Sequence, residues 1–461
     1  MLKEAVVGWP SLVFTRYHEA GVTRIRSHQI SEPRLYKKII GLDANALYLS
    51  TMLKDMPCGK ENVKHYRGAF QAEAAPILTH ILKEGKWFGF GEVDIVIPER
   101  SHPKFDEMYP FFYNKQVPAK AVPQHMADYL ERTGRNRGDG KKLVGALSAE
   151  RMLVYAPLLL WYVNHGAVIT RVNRTIDYKP AKIFPWFVEQ VTEARRSGDV
   201  DESKALLAEV FKLLGNSAYG KLIEALERQT NVIYTKDEKV VDRALRSAYF
   251  SDLEEVGQAY ELESRKPLVT IRRPFQIGIA VYLLAKLRML EFYCDFLDKY
   301  VDRRDFELIQ TDTDSNYLAI SGERLEDVVR PELKQEFEAE KNQWLPWDKW
   351  SGRTPGLFKL EFKGSRMIAL CSKCYFADEG EGGEKKKFST KGMSKTQNEL
   401  TWQRFKEALE GSKDMATNRG FRMRDGQMVT YKQQKLRLSA YYDKRWVLPD
   451  GIHTEPIEFQ I

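Results

Sequence analysis

Residues 307–320 read ELIQTDTDSNYLAI, placing Asp312 and Asp314 one residue apart between two β-favouring apolar stretches. At period two, side chains on an extended strand leave the same face, so these carboxylates repel unless a cation sits between them. Such a pair can hold a divalent metal ion. Asp also bonds its own backbone in turns, so the DTD triplet alone reads first as a solvated turn. A third carboxylate, Asp43, ends the apolar stretch KKIIGLD, and Tyr48 follows five residues later in ANALYLS.

A second constellation lies in FKLLGNSAYGK. Lys212, Asn216 and Tyr219 fall at i, i+4 and i+7, so one helical stripe carries a cation, an amide and an aromatic ring. Gly215 and Gly220 each cost a helix about 1 kcal/mol relative to Ala. Their presence implies a close approach to that backbone. A nucleotide suits the stripe, with Lys212 on phosphates and Tyr219 beneath a base. Arg195 and Arg196 precede the next turn and Lys204 follows it, so a two-helix hairpin would aim them with Lys212 at one cleft. The plain alternative for each is a solvated surface.

These residues require elements to position them. Residues 37–56 read as a strand turning into a helix, and 57–180 as strands such as FGFGEVDIVIP plus an apolar helix over SAERMLVYAPLLLWYV (148–163). Residues 184–226 read as two helices joined by SGDVD, with Asp201 capping the second. A long apolar helix over 275–300 leads into the DTD hairpin. NRGDGKK (136–142) and DEGEGGEKKK (378–387) read as surface loops. Short strands, a helix near 397–410 and a basic tail complete the chain. Regular βαβα alternation is lacking, which gives an α+β fold with mainly antiparallel strands.

The 461 residues suffice for two or three subdomains. Apolar residues make up 43% and charged residues 30%, the balance of a globular protein rather than a disordered one. Lys and Arg number 72 against 64 Asp and Glu, a formal net charge of +8 that suits a polyanionic partner. APLLLWYV is too short to span a bilayer, and the N-terminus lacks a secretory apolar region. Four cysteines fit a reducing compartment, and the lone pair Cys371/Cys374 lacks the further ligands of a zinc site.

Taken together, three segments resemble polymerase motifs A, B and C of family B DNA polymerases. DANALYL (43–49) resembles D-x-x-S-L-Y-P; Lys212, Asn216, Ser217, Tyr219 and Gly220 match K-x-x-x-N-S-x-Y-G; QTDTDS (310–315) resembles Y-x-D-T-D-S. SKCYF, with Lys373 and Tyr375, resembles the K-x-Y motif. KGMSKTQNELTWQRFKEAL and WVLPDGIHT look like the thumb of the protein-primed branch, which includes small-phage, adenoviral, linear-plasmid and Maverick/Polinton-type enzymes. VVGWPS (6–11) is similar to a degenerate form of that branch's Gly-rich linker.

The resemblance implies a right-hand fold. The palm would take 37–183 (with an insertion resembling a terminal-protein region) and 275–376; the fingers would take 184–226 and the thumb 377–461. Residues 1–36 would be a linker and 227–274 an insertion. It implies a DNA-directed DNA polymerase acting on primer–template DNA and dNTPs, and able to use a terminal protein as primer in a full-length context. Two Mg²⁺ ions, replaceable by Mn²⁺, would be held by Asp43 and Asp314 with help from Asp312. Arg195, Lys204 and Lys212 would grip the triphosphate; Tyr48 would exclude a ribose 2′-hydroxyl; Asn216, Tyr219 and Gly220 would line the base pair. Lys373, Tyr375 and Lys391 would hold the primer, and eight Lys/Arg between 419 and 445 would meet duplex phosphates. Its place would be intracellular, nuclear or at a viral replication site.

Departures are Ala46 for Ser, Leu49 for Pro and Gln310 for Tyr. The 42 residues before Asp43 are too few for an exonuclease domain, so no proofreading is expected. The competing reading is a catalytically silent nucleic-acid-binding remnant of a mobile element or virus.

Overall fold

The computed structural model describes residues 6–26, 33–118, 121–134, 140–226, 229–270, 273–390, 393–424 and 427–457. Its central sheet has five strands: β1 (Leu12–Val13), β2 (Lys38–Ala44), β3 (Phe306–Asp312), β4 (Ser315–Ile320) and β5 (Phe358–Gly364). They lie in the order β1-β3-β4-β2-β5, all neighbours antiparallel. Strand β3 is buried along its length until Asp312, with the polar Glu307, Gln310 and Thr311 buried beside Phe306, Leu308 and Ile309.

Four helices matter to the site: α1 (Leu47–Thr51), α2 (Pro185–Val200), α3 (Ala205–Leu222) and α4 (Phe275–Leu290). Helix α4 is apolar on all sides and buried accordingly. It continues through a π-helical segment, Glu291–Leu297, to Tyr300, matching the expected 275–300. There Phe292 stacks on Phe358 of β5 with ring centroids 3.6 Å apart.

A second, four-stranded sheet joins Tyr17–Glu19 to β6 (Arg366–Cys371), β7 (Cys374–Asp378) and β8 (Lys386–Thr390). The loop expected over 378–387 links β7 to β8. A further four-stranded sheet is built from Met56–His65, Val168–Ala181, Gly89–Val96 and Ser148–Tyr155. Three smaller hairpins and a three-stranded sheet over 230–265 complete the antiparallel set. The α+β expectation therefore holds at the level of architecture.

Three boundaries differ from the sequence reading. The helix expected over 148–163 is a strand to Tyr155 and a helix only from Ala156, because Pro157 suits a first helical turn and the residues before it pair with Gly89–Val96. SGDV belongs to α2 rather than to the connection, which is Asp201 and a 3-10 turn, Glu202–Lys204. Asp201 does cap that turn, accepting from the Ser203 amide at 3.0 Å. Gly140–Lys142, expected in a loop, open a strand paired with Phe111–Val117; residues 136–139 lie outside the described residues.

Candidate active site

The register of the central sheet brings two of the carboxylates together. Asp43, near the end of β2, pairs with Ser315 at the start of β4, and the Ala44 amide donates to the Asp314 carbonyl at 2.7 Å. Asp314 thus sits across one strand boundary from Asp43. The reversal between β3 and β4 is very tight: the Asp314 amide donates to the Asp312 carbonyl at 2.7 Å, and Thr313 between them has φ +63°. A positive central φ with an i→i+2 bond is the strained form of γ-turn. This turn separates carboxylates that a continuous strand would have aligned.

Their environments differ accordingly. Asp312 forms an ion pair with Lys373 Nζ at 2.9 Å, and Lys373 also donates to Thr313 Oγ1 at 3.3 Å. Asp43 and Asp314 have no salt-bridge partner among the described residues. Burial first, then the charge of Asp314, pushes the Asp43 carboxyl up to about 7. Burial, and further the charge of Asp312, pushes Asp314 up to about 6. Two half-buried carboxylates pushed up by burial and by neighbouring negative charge are short of positive charge.

Sequence reasoning missed a fourth carboxylate. Glu361 occupies a β-bulge of β5, opposite Leu42 and Gly41 of β2, and its charge adds to the upward push on both Asp43 and Asp314. It is held by Lys387 at 2.9 Å. Lys359 is the register partner of Asp43, so alternation places Glu361, two residues on, on the face of Asp43; what the sequence does not display is the pairing of β5 with β2.

Above the sheet edge, Tyr48 of α1 stacks on Tyr219 of α3 with centroids 4.7 Å apart and planes at 20°. Tyr282 of α4 closes the trio at 5.2 Å from Tyr48 and 5.8 Å from Tyr219. Helix α1 starts at Ala46, whose φ of +45° turns the chain sharply from β2. Leu49, which departs from the motif, is buried and faces Gly215: a Cβ there would meet Val191 at 3.0 Å and Leu49 at 3.4 Å. Gly215 therefore serves helix packing, not a nucleotide as its helix cost had suggested; Gly220 does face open space.

The expected cluster of cations is not gathered in this structure. Arg195 alone reaches toward the aspartates, donating to Asn45 Oδ1 at 3.4 Å. Arg196 turns away, over Trp350 and onto Thr354 Oγ1. Lys204 pairs with Asp201 at 3.5 Å and Lys212 with Glu209 at 3.1 Å. Asn216 is exposed on α3.

Lys373 sits at the β6–β7 turn, exposed and with φ +60°. Tyr375, expected on the primer, is instead 7% exposed, its hydroxyl 3.0 Å from that of Tyr317, so its ring props the sheet from behind. Lys391 lies outside the described residues. In the basic tail, Arg419, Arg422, Lys432 and Lys435 are exposed on the hairpin Met415–Arg424/Gln427–Leu436. Lys444 and Arg445 turn inward instead, onto the Ser11 carbonyl and onto Thr454.

The donor set at Asp43 and Asp314 fits a hard divalent cation: oxygen ligands, shared repulsion and no protein cation between them. Among the described residues no group of three or more His, Cys, Asp or Glu is gathered to chelate an ion unaided. Mg²⁺ commonly binds through one or two carboxylates with water and phosphate oxygens, which this pair can satisfy.

No protein-family model matches the chain, and no curated protein sequence matches it. Among solved structures, phi29 DNA polymerase in an orthorhombic crystal form matches with a TM-score of 0.51 and 14% identity, over 92% of this chain and 64% of that one. Phi29 DNA polymerase complexed with primer–template DNA matches with a TM-score of 0.50 and 15% identity, over 94% of this chain and 61% of that one. The chain thus spans less than two thirds of the length of those polymerases. At such identity the likeness is one of fold, and in fold this chain is similar to a DNA polymerase.

Proposed function

We propose that the chain is the polymerising part of a DNA-directed DNA polymerase of family B, protein-primed type, without a proofreading domain of its own among these residues. The observation that carries this reading is the Asp43–Asp314 pair, two carboxylates raised by burial and neighbouring negative charge, one near the end of β2 and one in the turn before β4, close to the Tyr48–Tyr219 stack. The similarity of fold to phi29 DNA polymerase supports it. In this reading the central sheet is the palm, α2 and α3 are the fingers, and residues from 377 onward are the thumb.

Asp43 and Asp314 would hold Mg²⁺, which when bound neutralises phosphate charge and lowers the pKa of the attacking 3′-hydroxyl. The chain's own residues do the positioning. Tyr48, held by Tyr219 and Tyr282, forms a rigid floor under the incoming sugar and leaves no room for a 2′-hydroxyl. Arg195 and, once released from Glu209, Lys212 bind the triphosphate. Lys373 holds Asp312 in place and offers its remaining donors to the primer phosphate.

Primer extension on primed DNA, with Mg²⁺ and dNTPs at low salt, tests the proposal. Template-directed addition is expected. Binding of DNA without any addition would favour the silent remnant, and extension on RNA but not DNA templates would point to a reverse transcriptase.

A further inference from the structure

The tip of the β6–β7 hairpin reads Cys-Ser-Lys-Cys (371–374), and the function above uses only its lysine. Cys371 and Cys374 face each other as register partners across the hairpin, just after a register shift between Ala369 and Cys371. Directly opposed antiparallel residues have Cα atoms about 4.5–5.5 Å apart. A disulfide spans about 4.4–6.8 Å, a range that includes that spacing. Among the described residues, no third ligand joins the thiols to make a metal site.

The two thiols are unequal. Cys371 is half-buried and Cys374 is 7% exposed, so a reagent meets Cys371 first. The neighbouring Cys374 thiol, and then the positive charges of Arg16 and Lys444, hold the Cys371 thiol below its usual range, against burial and Asp443. The Cys374 thiol is raised in turn. Such a pair has an attacking and a resolving sulfur. The turn between them is fixed at two points: Ser372 Oγ donates to the Ser11 carbonyl at 2.6 Å, and Lys373 pairs with Asp312.

We propose that Cys371 and Cys374 form a dithiol modification site, oxidised reversibly by small disulfides to a cross-strand disulfide that locks the turn presenting Lys373 to Asp312. The Cys371 thiolate attacks one sulfur of the small disulfide, forming a mixed disulfide and releasing one thiolate. Cys374 gives its proton to solvent and attacks the Cys371 sulfur, expelling the second thiolate. The chain loses two electrons and two protons, and the small disulfide becomes two thiols. Cys58 and Cys294 have no such cysteine partner, and burial pushes both thiols up.

The full chain, treated with oxidised glutathione, then unfolded and alkylated, is expected to show a linked Cys371–Cys374 peptide with Cys58 and Cys294 alkylated. Dithiothreitol should restore both thiols. A persistent glutathione adduct on Cys371, or four alkylated cysteines, would overturn the site. Cys374→Ser should stop at the Cys371 adduct and Cys371→Ser should form none, so either variant keeps the test answerable if the other fails to fold. The link to Lys373 rests on the proposed function: oxidation should change the extension rate of the wild type but not of Cys371→Ser, and equal rates despite a formed disulfide would overturn that link. Thiol counts need no polymerase activity, so a failure of the polymerase reading shows separately as absent extension in both redox states.

Discussion

At the residue scale, the site turns on one stacked pair and one repelling pair. Tyr48 and Tyr219 stack at 4.7 Å and are backed by Tyr282, so the Tyr48 ring has little freedom to give way to a bulkier sugar. Tyr48→Ala is expected to raise ribonucleotide incorporation in competition assays, while unchanged sugar discrimination would remove Tyr48 from that role. Asp314→Ala should cut extension by about 10²–10³-fold or more, as losing a group aimed at developing charge does. DNA affinity by gel shift should stay close to wild type; continued synthesis would take Asp314 out of the metal site. The aspartates were legible as candidates by residue type, but their spacing was misleading: the turn at Thr313 separates Asp312 from Asp314, and the pairing of β2 with β4 brings Asp314 beside Asp43. Glu361 was not, because neither strand alone shows that β5 pairs with β2 and so brings it beside Asp43. Nor was the inward turn of Tyr375, since K-x-Y spacing holds no information about which ring lies behind a sheet.

At the element scale, the α2–α3 hairpin is drawn together by absent side chains. A Cβ on Gly198 would lie 2.4 Å from the Ala208 Cβ, and neither atom can rotate away. Gly198→Ala would gain about 1 kcal/mol of helix propensity in an isolated helix. Here it should instead destabilise the protein by about 1–3 kcal/mol through overpacking. A chemical denaturation midpoint above that of wild type would contradict the crossing. In the sequence, SGD looked like a break between helices. The Asp201 cap was readable because capping is local chemistry, whereas the role of Gly198 depends on a helix that arrives later in the chain. The misread strand before Pro157 has the same cause: an apolar run fits a buried strand and a buried helix alike until its pairing partner is known.

At the scale of the whole molecule, two electrostatic features stand out. Arg419 and Lys432 are register partners and share one exposed face of the hairpin, with Arg422 and Lys435 exposed on the other; replacing Arg419 or Lys432 with Ala should weaken DNA binding regardless of sequence and flatten the salt dependence by about one unit of slope. An unchanged slope would place that residue off the duplex. Lys286, by contrast, is 1% exposed, with one hydrogen bond to the Phe112 carbonyl at 3.3 Å. Burial lowers its pKa from 10.5 to about 8. Between those values the unfolded chain keeps a proton that the folded chain has shed, so stability rises with pH across that window. Below it, the buried charge costs about 3 kcal/mol. Lys286→Met is expected to raise the neutral-pH Tm and abolish the rise; a variant that keeps the rise would assign it elsewhere.

The two ends of the described chain are stitched to one another. The Thr454 amide donates to the Phe14 carbonyl, the Arg16 amide to that of Ile452, and the buried Arg16 guanidinium reaches Gly451, Leu370 and Ala440. Strand β1, between them, is the edge neighbour of β3, which carries Asp312. During synthesis, then, the outer side of β1 stays open until residue 454 has left the ribosome. Contacts of that sequence separation form slowly, so the nascent polypeptide carries an open β-edge until then, the interval in which a chaperone would have most to protect.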